Sequence, residues 1–169
     1  MTSGGTQTKT SDITIRLARD VDAADISSLL HESFAEYKSL YNAESFAATA
    51  IPSSQLANRI VEGPVWVAVS RGRIVGTVSA IPSGDSLYIR GMGVLPEARG
   101  QRIGERLLTT VEEFAALRDF RRMLLSTTPF LDRAIRLYEN FGFQRTSEGP
   151  HDLCGTPLFS MEKVPSYFE

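Results

Sequence analysis

The 169-residue sequence predicts one α+β domain, a mostly antiparallel mixed sheet of about six to seven strands with helices on both faces. Two observations predict it. Period-2 apolar runs and runs of helical spacing follow in the order β α α β β β α β α β β, which is not the strict alternation of a doubly wound parallel sheet. Apolar residues make up 42% and charged residues 22% of the chain, which is ordinary globular composition and excludes collagen-like, disordered and disulfide-scaffold classes.

Each element has a local reason. Ile13, Ile15 and Leu17 alternate with polar residues and predict a strand, after which Asp20 can cap a helix. Ile26, Leu29, Leu30, Ser33, Phe34 and Tyr37 share one face of that helix, while residues 40–52 carry no clear period and contain Pro52. A second helix covers Ser54–Val61 and is stopped by Gly63-Pro64. Val65–Ser70 and Arg73–Ala80 flank Arg71-Gly72 as a hairpin, and Leu87–Val94 follows the turn Ser83-Gly84-Asp85. Pro96 ends that strand, since proline cannot extend a central ladder. Ile103, Leu107, Leu108, Val111, Phe114 and Ala115 mark an amphipathic helix over Gln101–Leu117. Met123–Ser126 is a buried strand, Leu131–Phe141 a helix stopped by Gly142, and Phe143 onward and Pro157–Val164 are two last strands. The domain is expected over residues 13–164, with tails at 1–12 and 165–169.

Formal net charge is −2, which speaks against a broad nucleic-acid footprint and gives a cationic acceptor a slight preference. The single cysteine, Cys154, cannot close an intrachain disulfide, and no apolar run approaches a membrane span. The first residues lack the apolar core of a secretory signal, so the expectation is a cytoplasmic protein, monomer or homodimer, with no membrane or nucleic-acid partner. His151, Asp152 and Cys154 fit no zinc spacing, so no metal is expected.

The informative stretch is Gly91-Met92-Gly93-Val94-Leu95-Pro96-Glu97-Ala98-Arg99-Gly100-Gln101-Arg102-Ile103-Gly104. A strand ends and a glycine-containing loop opens a helix, whose first N–H groups lack backbone partners and carry the positive end of the dipole. That suits a phosphate, with Arg99 and Arg102 adding charge and Gly100 and Gly104 removing bulk. The Walker pattern is absent, and Pro96 breaks the dinucleotide fingerprint. Gly91 and Gly93 also fit a plain β-bulge, and Arg99-Gly100 a plain helix start.

Val94 to Gly104 resembles the acyl-CoA loop of the GNAT superfamily of N-acetyltransferases, usually [QR]-x-x-G-x-[GA]. Leu137-Tyr138-Glu139-Asn140-Phe141-Gly142-Phe143 resembles its second signature, L-Y-x-x-x-G-F. The resemblance implies that Arg99, Gly100, Gln101, Arg102, Ile103 and Gly104 wrap the pyrophosphate of acetyl-CoA. It implies that Met92, Gly93 and Val94 face the pantetheine arm, and that the strand ending near Thr127 splays away to leave a cleft. Tyr138 would protonate the leaving thiolate; without the resemblance it is a helix tyrosine packed on Phe141. Two positions depart from the pattern: Arg102 stands where the family has its middle glycine, and Leu131 where it often has an asparagine.

Glu36, Tyr37 and His151, with Glu32, Tyr41 and Asp152, are candidates for the acceptor wall, and otherwise a solvated helix face and loop. The expected function is transfer of acetyl from acetyl-CoA to a primary amine by direct attack in a ternary complex. The alternatives are a non-catalytic acyl-CoA-sensing module and a phosphate-ligand domain that binds no CoA.

Overall fold

The computed structural model describes residues 12–148 and 151–168. The expected tail at 1–12 therefore lies, apart from Asp12, outside the described residues. The elements are β1 (Ile13–Leu17), α1 (Ala23–Phe34), α2 (Ala43–Thr49), α3 (Ser53–Glu62), β2 (Val65–Ser70), β3 (Arg73–Ser83), β4 (Ser86–Val94), α4 (Ile103–Leu117), β5 (Arg122–Thr127), α5 (Asp132–Phe141), β6 (Gln144–Arg145), β7 (His151–Leu153) and β8 (Thr156–Lys163). They form one mixed sheet of eight strands, in the order β1-β2-β3-β4-β5-β8-β6, with β7 paired to β8. Among the described residues only β4 and β5 run parallel, and α4 makes the crossover that parallel neighbours require.

Local chemistry sets most of these boundaries. Arg71 and Gly72 both take positive φ, as the two-residue turn between twisted antiparallel strands demands. Gly142 takes φ +113° and ends α5, its N–H and that of Phe143 both donating to the Tyr138 carbonyl. At the start of the chain the capping carboxylate belongs to Asp22, not Asp20. It accepts from the Arg19 N–H at 2.7 Å and from both Arg16 guanidinium nitrogens.

Two segments depart from the sequence expectation. Ala43–Thr49 is a helix, closed at its start by a capping box in which Asn42 and Ser45 bond reciprocally. His151–Leu153, expected as loop, is a short strand against Thr156–Leu158, which makes the sheet one strand larger.

The core is continuous across both faces of the sheet. A Cβ on Gly93 would meet Leu29 and Ser33 of α1, and one on Gly76 would meet Ile103 and Leu107 of α4. The helices thus lie directly on the β3–β4 pair from opposite sides, with Leu29, Leu30, Leu107 and Leu108 buried.

Candidate active site

The β4–β5 ladder stops at Ile89↔Leu125. From Arg90 onward the strands part, and among the described residues the β5-facing edge of β4 has no strand partner. A bulge bends the same stretch. The β3–β4 register passes from Thr77↔Gly93 to Ser79↔Arg90, so Val78 stands opposite both Gly91 and Met92, and Gly91 takes φ +61°.

Two cavities flank this split. The larger, about 720 Å³, lies between the end of β4, the loop before α4 and the facing side of α5. The smaller, about 280 Å³, lies in the split itself beneath α2 and α3. Phe34, Met92, Leu131 and Tyr138 line both, so the cavities adjoin.

Met92, Gly93, Val94, Arg99, Gly100, Arg102, Ile103 and Gly104 all line the larger cavity. Gly100 has φ +84°, and nothing lies within 4 Å of where its Cβ would be. Arg102, the residue before α4, adopts φ 59° and ψ 28°. The arginine thus takes the left-handed backbone that glycine takes without cost, and the loop keeps its path at the expense of local strain. Gln101 bonds back to the Ala98 carbonyl at 3.4 Å. A Cβ on Gly104 would lie 2.7 Å from Leu137 and 3.3 Å from Met92, so the glycine sets the close approach of α4 to α5.

Glu36 and Tyr37 fall on this side of the site. Glu36 is ion-paired with Arg99, and its carboxylate lies 3.7 Å from Arg133. Tyr37 lines the larger cavity and tilts against Phe130 at 6.3 Å. Thr127 lines the smaller cavity, and its buried hydroxyl has no hydrogen-bond partner among the described residues. His151 is exposed on β7 and lines neither cavity.

Tyr138 sits where the cavities meet and is 8% exposed. Its ring packs edge-on against Phe143 at 5.9 Å; Phe141 instead stacks on Phe143. Burial, aided by the nearby Tyr41 and Tyr88 phenols, pushes its hydroxyl well above the ordinary tyrosine value. The phenol is therefore a fixed proton-bearing donor across the physiological range.

Sequence reasoning missed three residues of the smaller cavity: Arg59, Tyr88 and Arg90. One signal was available. Leu56, Arg59 and Ile60 share a helical face, which puts an arginine on the apolar side of α3.

A family model described as the acetyltransferase (GNAT) family matches residues 25–143, a span that holds the bulge, the loop, both cavities' shared walls and Tyr138. The chain belongs to the GNAT acetyltransferase family. A Xenopus laevis protein named Probable N-acetyltransferase camello is 35% identical to this GNAT chain over 105 residues, 60% of this chain and 45% of that protein. The chain spans less than half the length of the curated relatives it matches. In solved structures the GNAT fold recurs in the PaiA N-acetyltransferase of Thermoplasma acidophilum in complex with coenzyme A. The TM-score is 0.77 at 20% identity, covering 90% of this chain and 98% of that one. It recurs also in yncA of Salmonella typhimurium, solved with its cofactor acetyl-CoA, with a TM-score of 0.67 at 20% identity over 92% and 95% of the two chains.

Proposed function

We propose that this GNAT chain is an N-acetyltransferase that moves the acetyl group of acetyl-CoA to a primary amine by direct attack. The observation that carries the reading is the meeting of the two cavities at Tyr138, one against a helix N-terminus and the other in the strand split. The residues of the larger cavity fit the cosubstrate. Its floor is the start of α4, whose first-turn N–H groups have no intrahelical acceptor, and Gly100 leaves the approach open. Family membership and neighbours solved with coenzyme A or acetyl-CoA support the same assignment.

Acetyl-CoA supplies an acetyl group activated as a thioester. The backbone of Arg99–Gly104 holds its pyrophosphate, and the unpaired edge of β4 from Met92 to Val94 orients the carbonyl. Placing the amine in the adjoining cavity supplies proximity. The amine nitrogen forms a bond to the carbonyl carbon, the carbon–sulfur bond breaks, and the sulfur takes the electron pair. Tyr138 donates a hydrogen bond to that sulfur. Its raised pKa makes it a weaker acid than an ordinary phenol, so it stabilises the thiolate more than it transfers a proton. No Asp, Glu or His is among the described residues that line the smaller cavity, so the ammonium proton leaves to water.

The test is thiol release from acetyl-CoA with a panel of primary amines, parent against Tyr138→Phe. The variant keeps the ring contact with Phe143 and should lose roughly 10–1000-fold in kcat with acetyl-CoA affinity little changed. The pair Gly100→Asp and Gly100→Asn tests the loop, since both residues tolerate the left-handed backbone but only one adds negative charge. Acetyl-CoA binding should weaken far more in the Asp variant. Acetyl-CoA binding with no thiol release from any amine would replace the reading by a non-catalytic acyl-CoA-binding module.

A further inference from the structure

The smaller cavity holds a guanidinium to which no described residue is hydrogen-bonded. Arg59 reaches into it from α3, and its buried Nη1 has no hydrogen-bond partner among the described residues. The space it occupies is prepared. A Cβ on Gly91 would collide with Arg59 Nη1, and the bulge glycine has none. Burial, and next the neighbouring Arg90, lower the Arg59 pKa to about 10, so the group remains a cation at neutral pH but an unfavourably placed one. Arg90 is paired through Nη2 with Glu62, whose carboxylate acts on Arg59 through space without bonding it, so the two guanidiniums share one carboxylate. No carboxylate is among the described residues that line the cavity.

The rest of the cavity is small and of mixed polarity. Its volume of about 280 Å³ lies near the lower end of the roughly 300–1,000 Å³ of small-molecule sites. Leu125, Leu153, Leu158 and Ile89 supply apolar wall, and the Thr127 hydroxyl supplies a further unpartnered polar atom.

We infer that Arg59 is a specificity-determining residue that binds the carboxylate of the acceptor, so that the acceptor is a small primary amine carrying one carboxylate, the chemistry of a free amino acid. This rests on the transferase reading for the word acceptor. One excess positive charge matches one carboxylate, whereas a phosphonate would bring a second charge with nothing to meet it. A polyamine fits worse, because its additional ammonium would find an arginine and no anion. The slight preference for a cationic acceptor that the net charge suggests thus gives way to the local field, because buried charges act at short range and with little screening.

The experiment has two arms. In the first, N-acetyl-leucine and N-acetyl-leucinamide are titrated by calorimetry into the protein saturated with CoA. The acid should bind at least about 10-fold more tightly than the amide, and Arg59→Gln should abolish the difference while Arg59→Lys restores part of it. In the second, thiol release is followed with leucine, methionine and phenylalanine and with the matching amines that lack the carboxylate. The amino acids should be preferred by about 10–100-fold in kcat/KM, and Arg59→Gln should raise KM for them alone, without changing acetyl-CoA affinity. Equal binding of acid and amide, no binding of either, or equal loss on both amine classes in Arg59→Gln would overturn the inference. Binding of the acid without thiol release from any amine would keep the anion site and reject the transfer reaction. Thiol release from carboxylate-free amines alone would keep the reaction and reject the anion site.

Discussion

Buried charge is treated in two opposite ways in this molecule. Away from the cavities, Lys163 on β8 donates to Glu112 of α4 at 2.5 Å and to the Ser166 hydroxyl at 3.1 Å, and the Ser166 N–H donates to the same carboxylate. Burial alone would push the Glu112 carboxyl up, but Lys163 and Ser166 outweigh it and hold the pKa below its ordinary value. Arg16 and Asp22 make a second self-contained pair. Around the split between β4 and β5, Arg59 Nη1 and the Thr127 hydroxyl have no partners among the described residues, and Arg102 sits in a left-handed backbone. The first region completes its bonds within the chain; the second pairs Arg90 and Arg99 but leaves Arg59 Nη1 and the Thr127 hydroxyl without partners among the described residues. The difference separates groups that hold the fold from groups we propose to hold a ligand, without reference to any relative.

If that distinction is right, mutations in the two regions have opposite signs. The largest effect belongs to Glu112→Ala, which strands a lysine only 9% exposed. It should cost about 3 kcal/mol, read from urea unfolding, because removing one partner leaves the other charge uncompensated. Asp22→Asn comes next. Hydrogen bonding by Arg16 chiefly holds the Asp22 pKa at about 2, below its unfolded value, so this stability is complete above the unfolded pKa and is lost as pH falls toward 2. Parent and variant should differ by about 2 kcal/mol at pH 6, and the gap should close between about pH 4 and 2. A gap at pH 2 as large as that at pH 6 would show that packing, not charge, sets the difference.

The remaining two should stabilise. Arg59→Met removes a half-buried cation whose Nη1 has no hydrogen-bond partner among the described residues, and should raise stability by about 1 kcal/mol in the absence of ligands. A loss of that size would place Arg59 among the structural charges. Arg102→Gly relieves about 1–2 kcal/mol of backbone strain against about 0.4–1 kcal/mol of added freedom in the unfolded chain, for a net gain near 0.5 kcal/mol. A thermal melt of each variant decides the sign.

The strands, the hairpin turn, α4 and α5 were legible because Gly63-Pro64, Arg71-Gly72, Pro96 and Gly142 punctuate the apolar periods on either side. The local motifs pointed to the loop before α4 and to Tyr138, and both line the larger cavity. What the sequence hid depends on residues far apart in the chain. α2 has little apolar period and is held by its cap and by Ser45 bonding to Thr156, 111 residues away. The role of Gly104 against Leu137 and the space that Gly91 leaves for Arg59 exist only once the helices are packed. The left-handed backbone of Arg102 runs against residue preference, so no propensity could announce it.

The short parallel ladder between β4 and β5 has a consequence for assembly. Strands β1 to β4 pair strictly with their neighbours in sequence, so this half can form while the ribosome still holds the remainder. β5 pairs with β8, so the other half closes only when the last strand has emerged. Within the sheet the two halves meet at four residue pairs, Ser86↔Arg122 to Ile89↔Leu125. The cavities open where that seam ends, and their walls come from both halves. A small molecule seated there acts as a rivet across the seam. The newly made chain should therefore become most resistant to proteolysis when ligand is present at the moment its last strand docks.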